Sequence, residues 1–283
     1  MTQYVALFGD PVAGNPTSAI LNAAFESAGL DWRYLDIRVS RETLPEAMTA
    51  ARTLEFSGLN LTVPHKVAVV PLVDRLDRTA EIIGAVNTVR REGGSLIGSN
   101  TDGAGFISAV RHSGLDPSGL TVVLVGAGGA AQAAAVELAV AGAKRIVVAN
   151  RSPERAATLV ARLEQRTSVS AEATTWTGEF TPPACDLLVN CTPLGMGRTA
   201  DQPDLVPVRL EGLAASTVVA DLNPESADTA FLRRATAAGH RTLDGLEMLA
   251  RLAAECFRLW TGHPTSPEAM RAELERVTGS TGG

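Results

Sequence analysis

Cysteine is scarce in this chain. Cys185, Cys191 and Cys256 stand alone among 283 residues, an odd count with no C-x-x-C pair. That excludes a disulfide framework and fits a reducing interior. The four histidines, His65, His112, His240 and His263, show neither H-x-x-x-H nor a Cys/His spacing, so no metal site is expected. Basic charge is also short: 25 Lys and Arg against 31 Asp and Glu leave a net charge of −6. No cationic field therefore favours nucleic acid or an anionic membrane, and an anionic ligand would have to be held by local donors. Long apolar runs are missing. The most apolar stretch, 130–143, contains Gln132 and Glu137 and is too short to span a bilayer. Met1-Thr-Gln-Tyr4 has no basic n-region and no long apolar run follows, so no signal peptide is expected. Repeats are absent, and only the 278–283 tail is of low complexity, with fraying expected there. A globular cytoplasmic protein with a small-molecule partner is expected; the sequence leaves its state, monomer or homodimer, open.

What is present centres on Val122-Val-Leu-Val-Gly-Ala-Gly-Gly-Ala-Ala131. Four apolar residues read as a buried parallel strand, and a glycine turn follows at once. From Gln132 to Val140 the Ala and Leu content is that of a helix. Strand, glycine turn and helix form the unit that binds a dinucleotide. Gly126 permits the sharp turn, Gly128 lets backbone approach a pyrophosphate, and Ala131 lets helix pack on strand. The free N–H groups at the helix start would face the phosphates. The next strand, 145–150, ends in Asn150-Arg-Ser152 rather than in Asp or Glu. An acidic residue there would hold a ribose 2′-hydroxyl; the fork of Arg151 donors suits a 2′-phosphate, and so NADP.

The remaining chain reads as alternating strands and helices. Val5-Ala-Leu-Phe8 is a strand. Asn15 is a good N-cap, Pro16 suits the first helical position, and Gly29 stops the helix. Strands at 34–39 and 58–63 enclose a helix over 44–54, an order that predicts a parallel sheet with ligand sites beyond its carboxyl ends. A helix end at 79–83 leads to a hairpin, 84–91 and 95–100, around Glu92-Gly-Gly94. Helices are expected over 103–112, 154–166 and 227–238, with further strands at 171–176, 186–190 and 218–221. The last helix shows one apolar face through Leu249, Leu252, Ala253, Cys256, Phe257 and Trp260. It is expected to pack back on the first domain. The fold class is α/β, in two domains. Residues 1–103 and 243–283 form a substrate domain with a mostly parallel sheet, and 104–242 form a Rossmann-type dinucleotide-binding domain.

Seven ordered motifs then carry a family resemblance: Asn60-Leu-Thr-Val-Pro-His-Lys66, Gly84-Ala-Val-Asn-Thr88, Asn100-Thr-Asp-Gly103, Gly126-Ala-Gly-Gly-Ala130, Asn150-Arg-Ser152, Asn190-Cys-Thr-Pro-Leu-Gly-Met196 and Asp244-Gly-Leu-Glu-Met-Leu249. Together they resemble shikimate dehydrogenase, an NADP-linked enzyme that reduces 3-dehydroshikimate to shikimate in aromatic amino acid biosynthesis. The resemblance implies Lys66 and Asp102 as the catalytic pair. It implies Thr62 and Asn87 as holders of ring hydroxyls, and Asn15 and Thr17 in the first-strand loop as holders of the substrate carboxylate. It places NADP on Gly126, Ala127, Gly128, Gly129, Ala130, Asn150, Arg151, Ser152, Thr192, Leu222 and Gly245. The chemistry asks for such types: a ketone taking hydride develops negative charge on oxygen and needs a positioned proton donor.

The sequence departs from the family around the substrate. Where the family has Ser-x-Ser then Pro, this chain has Asn15-Pro-Thr-Ser18; a family Tyr falls at Pro224 and a family Gln at Leu252. A Thr hydroxyl and helix N-terminal amides can still hold a carboxylate, while Leu252 makes the pocket more apolar. The alternatives are a quinate- or aminoshikimate-type dehydrogenase acting on a related cyclic hydroxy acid, or a cofactor-binding regulator without catalysis. Retention of both Lys66 and Asp102 argues against the regulator.

Overall fold

A computed structural model describes residues 1–196 and 206–279, so most of the expected frayed tail lies outside the described residues. The chain divides into two compact units, Met1–Ala104 with Ala250–Gly283, and Gly105–Leu249.

The first unit opens with β1 (Gln3–Gly9), α1 (Thr17–Ser27), β2 (Trp32–Arg38), α2 (Leu44–Thr53) and β3 (Gly58–Leu61). Then come β4 (Arg75–Leu76), α3 (Arg78–Ile83), β5 (Thr88–Glu92), β6 (Ser95–Ser99) and α4 (Thr101–His112), which runs on into the second unit. The six strands order as β2-β1-β3-β5-β6-β4. β1 pairs in parallel with β2 and β3, and β5 runs antiparallel to β3 and β6. The β5–β6 turn is tighter than the sequence suggests. Glu92 pairs with Ser95, which leaves Gly93 and Gly94 as a two-residue loop with φ of 55° and 86°. Only residues tolerant of φ > 0 fit both positions of such a turn.

Two helix starts in this unit shift. α1 begins at Thr17 with Pro16 at its N-cap, yet Asn15 still serves it, because its Oδ1 accepts the Thr17 N–H at 2.9 Å. α4 begins at Thr101 instead of Gly103, so Asp102 lies in its first turn. An acidic residue there meets the positive end of the helix dipole.

The second unit contains β7 (Thr121–Val125), α5 (Gly129–Val140), β8 (Arg145–Asn150), α6 (Pro153–Arg166), β9 (Ser170–Thr175), β10 (Leu187–Asn190), β11 (Val218–Asp221), α7 (Ala230–Ala237) and β12 (Arg241–Leu243). Its strands order as β12-β11-β10-β7-β8-β9, every neighbouring pair parallel. That is the doubly wound order 3-2-1-4-5-6, with its switch point where β7 meets β10. β10 and β11 are buried along their whole lengths, as continuous apolar runs in a central parallel sheet require.

α8 (Gly245–Thr261) starts in the second unit and ends in the first. In the first unit its Phe257 ring stacks on Phe25 with centroids 5.4 Å apart, and Trp260 lies 6.1 Å from Tyr34. The Trp260 indole N–H donates to the Val89 carbonyl at 2.9 Å. Each such side chain contributes about 1.5–3 kcal/mol on burial. It is not the last helix: α9 (Pro267–Gly279) follows and buries only Met270 and Leu274. Two buried positions gave too weak a periodic signal to read from sequence. β12 is short for the same kind of reading, with a single buried residue, Leu243.

Candidate active site

In the first unit, β3 ends in a loop that carries Lys66. The loop is pinned from several sides. The His65 N–H reaches the Thr62 carbonyl at 2.8 Å, and the Val86 N–H donates to the Lys66 carbonyl at 2.7 Å. His65 is fully buried, and its Nε2 meets the Val39 carbonyl at 2.8 Å, so it is a packing residue. Lys66 Nζ donates to Asp102 Oδ2 at 2.6 Å, and Asn87 Nδ2 donates to Asp102 Oδ1 at 2.9 Å. Both carboxylate oxygens are thereby engaged. The Lys66 side chain keeps 34 % of its surface open and Asp102 16 %. An ammonium with donor capacity to spare is held at one place on the surface of the unit by a nearly buried carboxylate.

Thr62 lies at the carboxyl end of β3 against the end of β1. A Cβ added at Gly9 would fall 2.3 Å from Thr62 Cγ2, and the Asp10 N–H reaches the Val63 carbonyl at 2.9 Å. The first-strand loop and Thr62 are therefore neighbours. Thr17 is buried at the start of α1, and Asn15 is engaged with its N–H. No hydrogen bond among the described residues joins Asn15 or Thr17 to the Lys66–Asp102–Asn87 group. Leu252, 8 % exposed, is a core position of α8.

In the second unit the glycine turn joins β7 to α5. Gly126 has φ of 115° and donates to the Ala149 carbonyl at 2.7 Å. A Cβ there would sit 3.2 Å from the Cys191 carbonyl group and Thr192 Cγ2, so this turn and the loop after β10 press together. Gly128 is the N-cap of α5 and gives it no side-chain cap. Nothing lies within 4 Å of a Cβ built on Gly128 or Gly129. The result is an open cradle of helix N-terminal amides, the geometry that receives an anion. Ala127 and Ala131 are both buried, Ala131 completely.

Beside the cradle is a cavity of about 300 Å³ lined by Ala127, Gly128, Gln132, Glu154, Arg155, Thr158, Leu159 and Arg162. Asn150 Nδ2 donates to the Ser152 carbonyl at 3.0 Å, and the Ser152 hydroxyl donates to Glu154 Oε2 at 2.9 Å. Arg151 and Arg155 are exposed, and neither guanidinium is hydrogen-bonded or ion-paired to another described residue. Arg155, in the first turn of α6, escaped the sequence reading. On the far side of the sheet centre, Thr192 donates to Asn190 Oδ1 at 2.7 Å. A Cβ on Gly245 would lie 2.1 Å from the Asn223 carbonyl oxygen and 2.9 Å from the Leu222 carbonyl carbon, so Leu222 and Gly245 also adjoin. Asp221, 1 % exposed, ties this region together: it accepts from Asn190 Nδ2 at 2.9 Å and from Thr229 Oγ1 at 2.8 Å. The open glycine cradle and the two unengaged guanidiniums fit a dinucleotide that carries an extra phosphate.

Fold and sites together define a two-unit α/β protein whose second unit is a Rossmann-type dinucleotide-binding sheet. Residues 7–89 match the shikimate dehydrogenase substrate binding domain, and residues 109–177 match the shikimate/quinate 5-dehydrogenase model. The shikimate dehydrogenase (NADP(+)) of Desulforamulus reducens is 40 % identical over 281 residues, covering 97 % of this chain and 95 % of the relative. Among solved structures, the ligand-free 5-ketofructose reductase of a Gluconobacter species superposes with a TM-score of 0.94 at 40 % identity, covering 98 % of this chain and 99 % of that one. The shikimate 5-dehydrogenase of Thermus thermophilus, in complex with NADP(H) and shikimate, gives 0.83 at 34 % identity, covering 98 % and 100 %. The chain belongs to the shikimate dehydrogenase family.

Proposed function

We propose that this protein is an NADP-dependent oxidoreductase that interconverts 3-dehydroshikimate and shikimate, acting in the cytoplasm as a monomer or homodimer. The observation that carries the reading is the 2.6 Å contact of Lys66 Nζ with an Asp102 carboxylate whose other oxygen is held by Asn87. Three free cysteines agree with a reducing compartment.

Each residue has a physical task in this reading. Lys66 donates a proton to the ketone oxygen as negative charge develops there. Asp102 holds the ammonium in place, and in the reverse direction the substrate hydroxyl proton returns to the Lys66 amine. Thr62 and Asn87 orient the ring hydroxyls, and Asn15, Thr17 and the α1 amides receive the carboxylate. Gly126, Ala127, Gly128, Gly129 and Ala130 cradle the pyrophosphate of NADP, while Asn150, Arg151, Ser152 and Arg155 hold its 2′-phosphate. Thr192, Leu222 and Gly245 line the nicotinamide. Bound NADPH supplies the hydride. A positioned proton donor contributes about 10²–10⁴ in rate, roughly 3–5 kcal/mol of barrier.

Adding shikimate to pure protein with NADP⁺ is expected to raise absorbance at the reduced-nicotinamide band. No rise at saturating shikimate removes this assignment.

A second reading is favoured by the Gluconobacter neighbour, whose name describes reduction of an uncharged polyhydroxy ketone. Pro224 and Leu252 lack the hydroxyl and amide that the family's Tyr and Gln would bring to the substrate. A panel of shikimate, quinate, aminoshikimate and 5-ketofructose, each with NADP(H) and NAD(H), separates the two: turnover of the ketose alone assigns the site to an uncharged substrate.

A further inference from the structure

Behind the Asn87–Asp102–Lys66 group lies a buried set of polar side chains from five separate elements: Tyr34, Asn60, Thr88, Thr101 and Cys256. Their protons can be assigned by what each neighbour is able to do. The Asn60 amide faces the Asn87 backbone carbonyl at 3.1 Å, an acceptor only, so its Nδ2 must point there. Its Oδ1 is then left for the Tyr34 O–H at 2.9 Å. The second hydrogen of Asn60 Nδ2 goes to Thr88 Oγ1 at 2.9 Å. Asn87 is oriented by the same logic. The Thr101 backbone N–H, a donor only, meets Asn87 Oδ1 at 2.7 Å, which forces Nδ2 toward Asp102. The Thr101 and Thr88 hydroxyls are also within reach of that Oδ1, at 3.0 and 3.1 Å, and lie 2.7 Å from each other. Whichever of the two donates to the other, a hydroxyl proton ends on Asn87 Oδ1. The Cys256 thiol closes the set, 3.3–3.4 Å from Asn60 Nδ2 and both threonine hydroxyls.

We propose that Tyr34, Asn60, Thr88 and Thr101 form a one-way donor chain that positions the Asn87 amide and, through it, the Asp102 carboxylate. Every bond in the chain donates toward the carboxylate, so each polarises the next. Burial holds the Tyr34 phenol protonated far above neutral pH, with Cys256 and Asp36 adding to the effect, so the head of the chain remains a donor. None of the four is assigned a contact with substrate or cofactor; they are positioning residues. Cys256 fits as a small group that can both give and take a weak hydrogen bond where the chain turns.

This inference deepens the proposed reading of the site and rests on it for its kinetic test. Thr88→Val removes the hydroxyl while keeping the shape; Thr88→Ser keeps the hydroxyl. With whichever panel substrate turns over, Thr88→Val is expected to lower kcat about 10-fold, the worth of one lost hydrogen bond, with KM for NADP unchanged. Thr88→Ser is expected to restore most of that loss. Tyr34→Phe, which loses only an O–H, should move kcat the same way. A readout independent of turnover is side-chain amide hydrogen exchange in the full chain labelled with ¹⁵N-asparagine. Exchange at Asn87 Nδ2 should accelerate in Thr88→Val and Tyr34→Phe, while Asn190 Nδ2 in the other unit stays as in the unmodified chain. Unchanged Asn87 exchange, or equal kcat losses in Thr88→Val and Thr88→Ser, overturns the chain. Failure of every substrate overturns the functional reading instead and leaves the exchange comparison to decide the chain.

Discussion

Lys66 differs from an ordinary surface lysine in what surrounds its backbone and its ammonium. Its carbonyl is bonded to Val86 and its Nζ to Asp102, so the side chain presents a donor at a defined point. On the proposed reading, Lys66→Ala lowers kcat by about 10²–10⁴ with a modest change in KM, because the proton it gives matters chiefly in the transition state. Steady-state kinetics check this, and near-normal turnover would place the acid elsewhere. Arg151 is a cation with no described partner of its own. Arg151→Ala should weaken NADP binding by about 1.5–3 kcal/mol, roughly 10–150-fold, the range for hydrogen bonds to charged groups. NAD binding should barely move, and titration calorimetry with both nucleotides separates the outcomes. Arg151 was legible from its place after the second strand of the dinucleotide unit. Arg155 was not, since an arginine in the first turn of a helix reads as solvated charge, and only the tertiary structure sets it on the wall of the cavity beside Gly128.

At the scale of elements, α8 is organised by one tight fit. Gly58, on β3, lies under Trp260: a Cβ there would stand 2.1 Å from the indole nitrogen and 2.7 Å from the Val89 carbonyl oxygen. The carbonyl is the acceptor of the Trp260 N–H, so neither neighbour can yield without losing that bond. Gly58→Ala is expected to lower stability by about 1–3 kcal/mol, the cost of overpacking a filled core, seen as a lower melting temperature. A melting temperature equal to that of the unmodified chain would show that α8 can move aside. The apolar face of α8 and the strand–glycine–helix unit were readable because their signals are local: a 3.6-residue period and a turn that needs φ > 0. The start of α4 was not. Thr101 and Asp102 look like turn residues before Gly103, and only the N–H of Thr101 on Asn87, with Gly103 N–H on Asn100 at 3.4 Å, makes them a helix start.

For the whole molecule, the buried thiols predict how stability depends on pH. Burial, with a smaller push from Asp186, raises the Cys185 thiol from 9.0 to about 12. Burial first and Asp221 second push Cys191 up as well, and burial does the same to Cys256 against the hydrogen bonds of Thr101, Thr88 and Asn60. Between pH 9 and about 12 the unfolded chain has lost the Cys185 proton and the folded chain has kept it. The unfolded state then binds fewer protons, so stability falls as pH rises, by up to about 1.4 kcal/mol per pH unit for each such group. Urea midpoints measured from pH 8 upward should fall, and Cys185→Ala should flatten that slope whatever it does to the midpoint at pH 8. An unchanged slope would mean that the thiol titrates alike in both states. What the sequence determined by itself was the order of the core strands and main helices, the doubly wound unit with its glycine turn, and the family, since periodicity, turn chemistry and ordered motifs reside in neighbouring residues. Tertiary structure alone decided that Asn60 meets Cys256 across 196 positions, that Asn87 is turned with its amide toward Asp102, and that Gly58 must stay small under Trp260. Those contacts join residues far apart in the chain, and only close packing selects them from the many that the same side chains could make.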